Sequence, residues 1–241
     1  MTRAGALDAR EPSGPVRLGV RWFVAFSFLL LAVHEAHELA HAVVGRLVCG
    51  EWPVRDFNMW RFTGECVSWW PTAAGPLFSY SLMGIGGLLA RGRRAWRTAG
   101  IALLFAANPF ARIFTVAMGG GDETVVAQRL AGLAERTIAL RLVTLLFVLA
   151  VCGTAIVVAW RSMRGVTRGA LWFVGALLWP MVLTGVGLFV VGNGMLRRGW
   201  LATPVIAGAP LLVVAVSAAA VVLTAITLGW LRVEPQLSSR A

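Results

Sequence analysis

The chain of 241 residues contains no lysine, and charged residues of all kinds make up only 14% of it. Its 22 basic residues are all arginine and stand against 11 acidic ones. Soluble domains usually carry about 25% charged residues. No polar stretch of this chain is long enough to build a core of its own. We therefore expect neither an ordinary soluble protein nor an appended soluble domain.

Cysteine and histidine are also scarce, with three of each. Cys49, Cys66 and Cys152 do not have the spacing of a cysteine metal site. Cys49 and Cys66 flank one loop and can pair if that loop faces an oxidising compartment. Of the two readings, unpaired and partly buried thiols are the expectation that we favour. Three histidines are too few for a di-iron lipid desaturase, so that class is excluded on number alone.

Hydrophobic residues are abundant, at 58% of the chain. A span of about 20 apolar residues is long enough to cross a bilayer as a helix. We therefore predict an all-α polytopic membrane protein with about six transmembrane helices. The predicted spans cover approximately residues 22–48, 73–90, 98–118, 138–160, 170–191 and 201–230.

Two shorter features lie between the spans. A polar, tryptophan-rich loop at residues 51–71 is typical of a short hairpin or an interfacial segment. After three glycines, Val126, Leu130 and Leu133 recur at helical spacing, which predicts a short amphipathic helix at the membrane interface. Asn108-Pro109 interrupts the third span, because proline cannot donate the hydrogen bond of a helix interior.

The predicted spans divide the chain into four regions. The second region would be a catalytic membrane core, and the third would add three further transmembrane helices. We expect a disordered polar N-terminus at residues 1–17, the core at 18–137, the three helices at 138–232, and a C-terminal tail at 233–241.

The arginines lie between apolar runs and do not form a patch or an aromatic-interleaved stripe. This pattern orients a membrane protein and does not indicate nucleic-acid binding. It assigns the N-terminus, loops 91–97 and 161–168, and the C-terminus to the cytoplasmic side. Lysine-free, arginine-rich usage is also typical of a GC-rich bacterial genome. We expect a multi-pass protein of the bacterial inner membrane, in contact with the lipid bilayer and with no nucleic-acid partner.

All three histidines fall within eight residues at the end of the first span. His37-Glu38-Leu39-Ala40-His41 matches the HExxH pattern, in which two histidines share a helix face and bind one zinc ion. The glutamate then lies beside the metal and acts as a general base. Ionisable groups inside a membrane span are costly, and they are functional candidates by default. We therefore predict a Zn²⁺ site with His37 and His41 as ligands and Glu38 as the catalytic residue.

A catalytic zinc site needs a third protein ligand. His34 lies on the same face as the motif histidines but about 10.5 Å from His41 along the axis, at 1.5 Å per residue. Glu35 is rotated away from His41 on the helix, and its carboxylate is better placed to support the ligand side chains than to bind the metal itself. Asp122 and Glu123 remain; Asp122 also suits the N-cap of the following helix. On the residues alone, the third ligand stays open among these candidates.

The HExxH pattern occurs together with Ala74-Gly75-Pro76-Leu77 and with Asn108-Pro109 upstream of an acidic residue. In these features the chain resembles the site-2 protease family of intramembrane zinc metalloproteases. The resemblance implies zinc bound by His37, His41 and a distant aspartate, with Glu38 as base. It also implies cleavage of a peptide bond in or near a transmembrane segment of a membrane-protein substrate. On this resemblance we favour Asp122 as the third ligand over a mere helix cap. It matches less well than the rest, because glycines precede it where the family pattern has one following.

Two features of the second and third spans have alternative interpretations. Ala74-Gly75-Pro76-Leu77 can open a helix or pack closely against the motif helix. Arg112, inside the third span, can extend to the interface, pair with Glu35, or stabilise an oxyanion. We favour the first two roles for Arg112.

Other functions remain open. A membrane metal-binding protein, either a transporter or a sensor, accounts for the histidines but not for a glutamate at the base position. A non-proteolytic relative that binds without cleaving is a further alternative. Residues 51–72 and the linker Gly119–Gly121 are the predicted gates through which a substrate would enter.

Overall fold

The computed structural model describes residues 16–92, 94–133, 135 and 137–232. Helices dominate this part of the chain, and the strands are two or three residues long. The helices are α1 (Val20–Cys49), α2 (Trp70–Arg91), α3 (Arg94–Ala106), α4 (Pro109–Ala117), α5 (Asp122–Leu130), α6 (Ile138–Met163), α7 (Gly169–Met181), α8 (Asn193–Arg197) and α9 (Leu211–Thr227). The backbone is π-helical at Val182–Gly192 and 3₁₀-helical at Leu228–Leu231.

Six segments are long and apolar enough to cross a membrane, which confirms the predicted all-α membrane fold. The third consists of α3 and α4 together, and the fifth joins α7, the π-helical segment and α8. Asn108 breaks the third segment as expected, with a left-handed backbone (φ 56°) directly before Pro109. The sixth segment was predicted to begin near residue 201, but its helix begins only at Leu211. The apolar residues before it form a hairpin instead.

The N-terminal prediction needs a smaller correction. Residues 1–15 and the tail 233–241 lie outside the described residues. Val16, however, is buried and forms a parallel bridge with Val166. Its amide donates to the Gly165 carbonyl, and its carbonyl accepts from the Thr167 amide. Val16 therefore belongs to the packed bundle, although it lies in the segment predicted to be disordered.

The motif helix α1 lies at the centre of the bundle and packs against α2, α3 and α9. Phe26, Leu30, Ile101 and Phe105 are fully buried between these helices. Helices α2 and α3 approach closely because glycines face each other. A Cβ added at Gly86 would lie 2.9 Å from the Leu104 backbone nitrogen. Such close packing of small residues is a usual source of helix association in membranes, where no hydrophobic force acts between helices.

Two hairpins lie on the side where α1 ends. In the first, Val54–Arg55 (β1) pairs antiparallel with Trp60–Arg61 (β2). A short hairpin is one of the two structures predicted for this loop. In the second, Pro204–Ile206 (β3) pairs with Ala209–Pro210 (β4). The first hairpin and its flanks, residues 50–69, are called the hairpin loop below.

The hairpin loop is tied to the bundle at several points. Cys49 and Cys66 form a disulfide across its base, so the expectation of two unpaired thiols was wrong. The loop residue Phe57 accepts at its carbonyl from His34 (2.8 Å), and its amide donates to the Asn193 side chain (3.2 Å). The Arg55 amide donates to the Gly208 carbonyl of the second hairpin at 3.2 Å. These contacts hold the loop over the end of α1.

Candidate metal centre and adjoining cavity

His37 and His41 lie one turn apart on α1 with Glu38 directly after His37, and all three side chains are buried inside the bundle. Their helix continues without a break to Cys49 and ends at Gly50, whose left-handed backbone (φ 80°) returns its amide to the Arg46 carbonyl. The two histidines are therefore presented by a rigid element with a defined end.

Asp122, at the start of α5, meets both histidines. Its Oδ2 atom lies 3.5 Å from Nε2 of His37 and 3.4 Å from Nε2 of His41. The two imidazole nitrogens lie 3.2 Å from each other. The structure thus brings together the three side chains that the sequence predicts as metal ligands, and their donor atoms form a nearly equilateral triangle.

The triangle has the size that a tetrahedral zinc site requires. Zinc–nitrogen and zinc–oxygen bonds of about 2.0–2.2 Å place tetrahedral donor atoms roughly 3.3–3.6 Å apart. The three observed separations of 3.2, 3.4 and 3.5 Å are close to this range. Two imidazoles and one carboxylate are also a donor set found in catalytic zinc sites, with the fourth position left for water or substrate. The residues present therefore fit a divalent metal ion.

Glycines allow Asp122 to reach the histidines. Gly119 and Gly121 have left-handed backbones (φ 79° and 84°) that turn the chain back from α4. Gly121 is the N-cap of α5, and the Asp122 side chain makes no capping hydrogen bond. The interpretation of Asp122 as a helix cap was therefore wrong. Burial alone would raise the pKa of Asp122, but hydrogen bonds to His37 and His41 outweigh it and lower the pKa below its usual value. A carboxylate in the ionised form is the form that a metal binds.

Each imidazole is oriented by a partner on its far side. Nδ1 of His41 donates to the Pro71 carbonyl at 2.6 Å, and Nε2 of the same ring is turned toward Asp122. Nδ1 of His37 lies 3.1 Å from the Ser79 hydroxyl. Partners of this kind fix the tautomer and ring orientation of metal-binding histidines.

Arg112 on α4 connects His37 to α5. Its Nη1 donates to Glu123 at 2.6 Å, and its Nη2 donates to Ser79 at 2.8 Å while lying 2.9 Å from Nδ1 of His37. The Tyr80 hydroxyl donates to the same Glu123 oxygen at 2.8 Å. The expected roles for Arg112, extension to the interface or pairing with Glu35, were both wrong. A buried guanidinium needs a nearby carboxylate, and Glu123 is that partner.

The other candidate ligands are engaged elsewhere. His34 contacts the Phe57 carbonyl, and Glu35 forms an ion pair with Arg55 on the hairpin loop. Glu35 therefore does not support the metal ligands from behind, as the sequence had suggested. Glu123 is held by Arg112, one residue beyond Asp122.

Gly75 on α2 explains how close the second span comes to the motif helix. A Cβ added at Gly75 would collide with the rings of both His37 and His41. Of the two interpretations of Ala74-Gly75-Pro76-Leu77, close packing against the motif helix is the one the structure supports. Trp60 of the hairpin loop stacks on the opposite side of His41, with ring centres 5.2 Å apart and planes 28° apart.

A cavity of about 460 Å³ opens beside the triad and is lined by His37, Glu38 and Asp122. Its volume is within the range of about 300–1,000 Å³ that ligand sites usually occupy. Met59 and Thr115 line it and are exposed, so they mark its mouth, between the hairpin loop and α4. Within the described part of the chain, no protein group hydrogen-bonds the Glu38 carboxylate. That carboxylate is therefore available to a molecule in the cavity.

Sequence reasoning missed several groups around the site. Ser79 had a signal, because it follows Gly75 by one helical turn and so shares the face that touches the histidines. Tyr80 is the only tyrosine of the chain and lies inside an apolar span, which was a second usable signal. The Pro71 carbonyl and the Trp60 ring had none, since a backbone acceptor and a loop aromatic depend on tertiary packing.

Comparisons with family models, with curated proteins and with solved structures found no match to the chain. The functional interpretation therefore depends on the site itself. The fold and site define a multi-pass membrane protein with a buried two-histidine, one-carboxylate cluster and an adjoining cavity.

Proposed function

We propose that the chain is an intramembrane zinc metalloprotease that hydrolyses a peptide bond in or near a transmembrane segment of another membrane protein. The observation that carries the proposal is the convergence of His37, His41 and Asp122 beside a cavity that His37, Asp122 and Glu38 line. Three ligand atoms at tetrahedral spacing, with a free carboxylate next to them, are the parts that metal-dependent hydrolysis requires. The resemblance to site-2 proteases assigns the same roles to the same residues.

The proposed chemistry divides between the metal and the chain. Zinc held by the triad would supply a Lewis acid that polarises the scissile carbonyl and lowers the pKa of a water molecule. Glu38 takes the proton of the attacking water and passes it to the leaving amine. The Pro71 carbonyl keeps the His41 imidazole in the ligand tautomer, and Ser79 holds the ring of His37 in place. Arg112, held by Glu123, keeps Ser79 and His37 in place.

The substrate in this proposal is a membrane-protein segment that has lost its helical structure locally. A peptide bond inside a helix is shielded by its own side chains and hydrogen bonds, so it must unwind before it can reach Glu38. Of the two predicted gates, the hairpin loop is fixed by a disulfide and by hydrogen bonds to α1 and α8. The glycine linker lies at the cavity, where Gly121 is part of the lining. We assign entry to the side of α4 and α5.

A metal transporter would need a polar route through the remaining spans. The buried hydroxyls of Thr144, Thr184 and Thr227 donate to carbonyls one turn earlier in their own helices. Buried Asn193 is used by the hairpin loop. Within the described residues, the last three spans thus offer no chain of free polar groups, and proteolysis is the better-supported function.

A cleavage assay with the full-length protein in lipid vesicles tests the proposal. Transmembrane peptides labelled at both ends should be cut by wild-type protein, cutting should stop when a zinc chelator is added, and excess zinc should restore it. The physical reason is that, without the metal, no side chain of the triad can polarise the scissile carbonyl or activate the water. Cutting that persists at full rate with the metal removed would contradict a metalloprotease.

We further propose that the end of α1 bearing the triad faces the outside of a bacterial inner membrane, with both termini in the cytoplasm. The arginines of residues 91–97, where α2 ends and α3 begins, support this orientation, since clustered arginines are costly to translocate. The Cys49–Cys66 disulfide supports it independently, because disulfides persist in oxidising compartments. Site-2 proteases generally hold zinc nearer the cytoplasm, so the proposed orientation differs from that family.

Cysteine labelling in intact cells tests the orientation. Gly92 and Ala131 are exposed and lie at opposite ends of the bundle, so each can carry a reporter cysteine. We expect Ala131→Cys to react with a membrane-impermeant maleimide in intact cells and Gly92→Cys to react only after the membrane is opened. Cys152, the native cysteine outside the disulfide, is buried, and the labelling of wild-type protein provides the background signal. The reverse pattern of labelling would overturn the orientation.

A further inference from the structure

The cavity continues away from the triad into the bundle. Along α1 it is lined by His37 and Glu38, then by Val33 and His34, and finally by Leu30. At 1.5 Å per residue, the distance from Glu38 to Leu30 is about 12 Å along the helix axis. The cavity is therefore deeper than a peptide backbone requires, and its inner end reaches the apolar core.

Small or apolar side chains form much of the inner end, beside His34 and Asn108, which also line the cavity. Leu30, Val33, Ala106 and Ala107 are buried and line it, and Thr184 closes it from the π-helical segment. The Thr184 hydroxyl is occupied by the Pro180 carbonyl at 2.7 Å, so it offers no free donor to a ligand. These five side chains are called the pocket floor below.

The alanines of the floor leave the space open. Ala106 and Ala107 stand where α3 ends, directly before the left-handed residue Asn108. Their neighbours Leu104 and Phe105 are fully buried in the main core and do not line the cavity. An apolar group from a ligand that fills this space would remove the apolar surface of the floor from water, which favours its binding.

We infer that the pocket floor binds a large apolar side chain of the substrate, such as leucine or phenylalanine, next to the bond that is cleaved. This inference rests on the proposed protease function, and it adds a specificity determinant to it. The pocket floor and the Glu38 carboxylate line the same cavity. A peptide whose cleaved bond lies at Glu38 therefore has a neighbouring side chain within reach of the floor. The floor presents no charge, which disfavours acidic or basic side chains.

Ala107 is the position that controls the depth of this pocket. Ala107→Leu would fill the floor with three additional carbon atoms, whereas Ala117→Leu places the same change on an exposed surface of α4 outside the cavity. Adding or removing one methylene in a hydrophobic pocket changes discrimination by about 10–200-fold. The two variants therefore separate a pocket effect from a general effect of added bulk.

The test uses transmembrane peptides in vesicles that differ at one residue beside the cleaved bond, either alanine, leucine or phenylalanine. We expect wild-type and Ala117→Leu protein to prefer leucine or phenylalanine over alanine by about 10–200-fold in kcat/KM. Ala107→Leu should lose or reverse that preference while still cleaving the alanine peptide. An unchanged preference in Ala107→Leu, or an equal loss for every peptide, would overturn the pocket assignment.

Binding separates this inference from the proposed protease function. The same peptides are titrated against Glu38→Gln protein with and without Ala107→Leu, so that affinity is measured in the absence of cleavage. Tighter binding of the leucine and phenylalanine peptides that disappears with Ala107→Leu supports the pocket, even if the wild type cleaves no peptide. Cleavage without discrimination in either measurement supports the protease and contradicts the pocket. Equal binding of all peptides, with a lipid acyl chain retained in the cavity, also contradicts it.

Discussion

Glu38→Gln is expected to reduce cleavage by at least about 10²–10⁴-fold while leaving the metal bound, since that is the usual contribution of one general base. The glutamine side chain has nearly the same size and can occupy the same position on α1, but it cannot accept a proton from water. Glu38 is not one of the three atoms that form the ligand triangle. The loss should therefore appear in kcat, with zinc content equal to that of the wild type.

Glu65→Gln is the matched control for this change. Glu65 is an exposed residue of the hairpin loop and lies outside the cavity lining, so the same chemical substitution there should leave cleavage intact. Full activity of Glu38→Gln toward every peptide that the wild type cleaves would remove Glu38 from the mechanism. Loss of zinc in Glu38→Gln would show that its role is structural.

Asp122→Asn is expected to weaken zinc binding by more than about 100-fold, which exceeds the 10–100-fold loss typical of residues behind the ligands. The substitution keeps the size of the side chain but removes the negative charge that balances the metal. Because Gly121 and not Asp122 caps α5, the metal-free form should keep its α5 cap, and any loss of thermal stability should come from the lost contacts of Asp122 with His37 and His41. The measurement is a zinc titration of the chelator-treated protein, paired with thermal unfolding without metal.

Asp56→Asn provides the control for Asp122→Asn. The Asp56 side chain accepts from the amides of Asn58 and Met59 in the hairpin loop, which an asparagine oxygen can also do. Zinc affinity should be unchanged in this variant. If Asp122→Asn retained both zinc and activity, Asp122 would not be a ligand. Glu123 or His34 would then have to leave its present partner to complete the site.

The spans and the motif could be predicted from the sequence because both depend on local patterns. Apolar length determines a transmembrane helix, and the i, i+4 spacing of His37 and His41 determines their common face. Asp122 could be proposed as well, because its glycines permit a chain reversal and acidic residues are rare in this chain. Its actual approach to the histidines depends on the packing of α4 and α5, which no local pattern encodes.

The errors concern interactions between distant parts of the chain. The Cys49–Cys66 pairing and the Arg112–Glu123 pair depend on which side chains the fold brings together. The sixth span begins later than predicted because the apolar run near residue 201 does not form a helix. Those residues form a hairpin in which Gly208 lies so close to the Pro53 carbonyl that a Cβ there would collide with it. Apolar composition alone cannot distinguish such a docked hairpin from a membrane helix.

The metal content of the purified wild-type protein tests the central claim most directly. Protein that is loaded with zinc and then freed of excess metal should hold about one zinc ion per chain. His37→Ala and His41→Ala, purified in the same way and folded by the same criteria, should hold none. A wild-type chain that retains no divalent metal, or variants that retain as much as the wild type, would contradict the account.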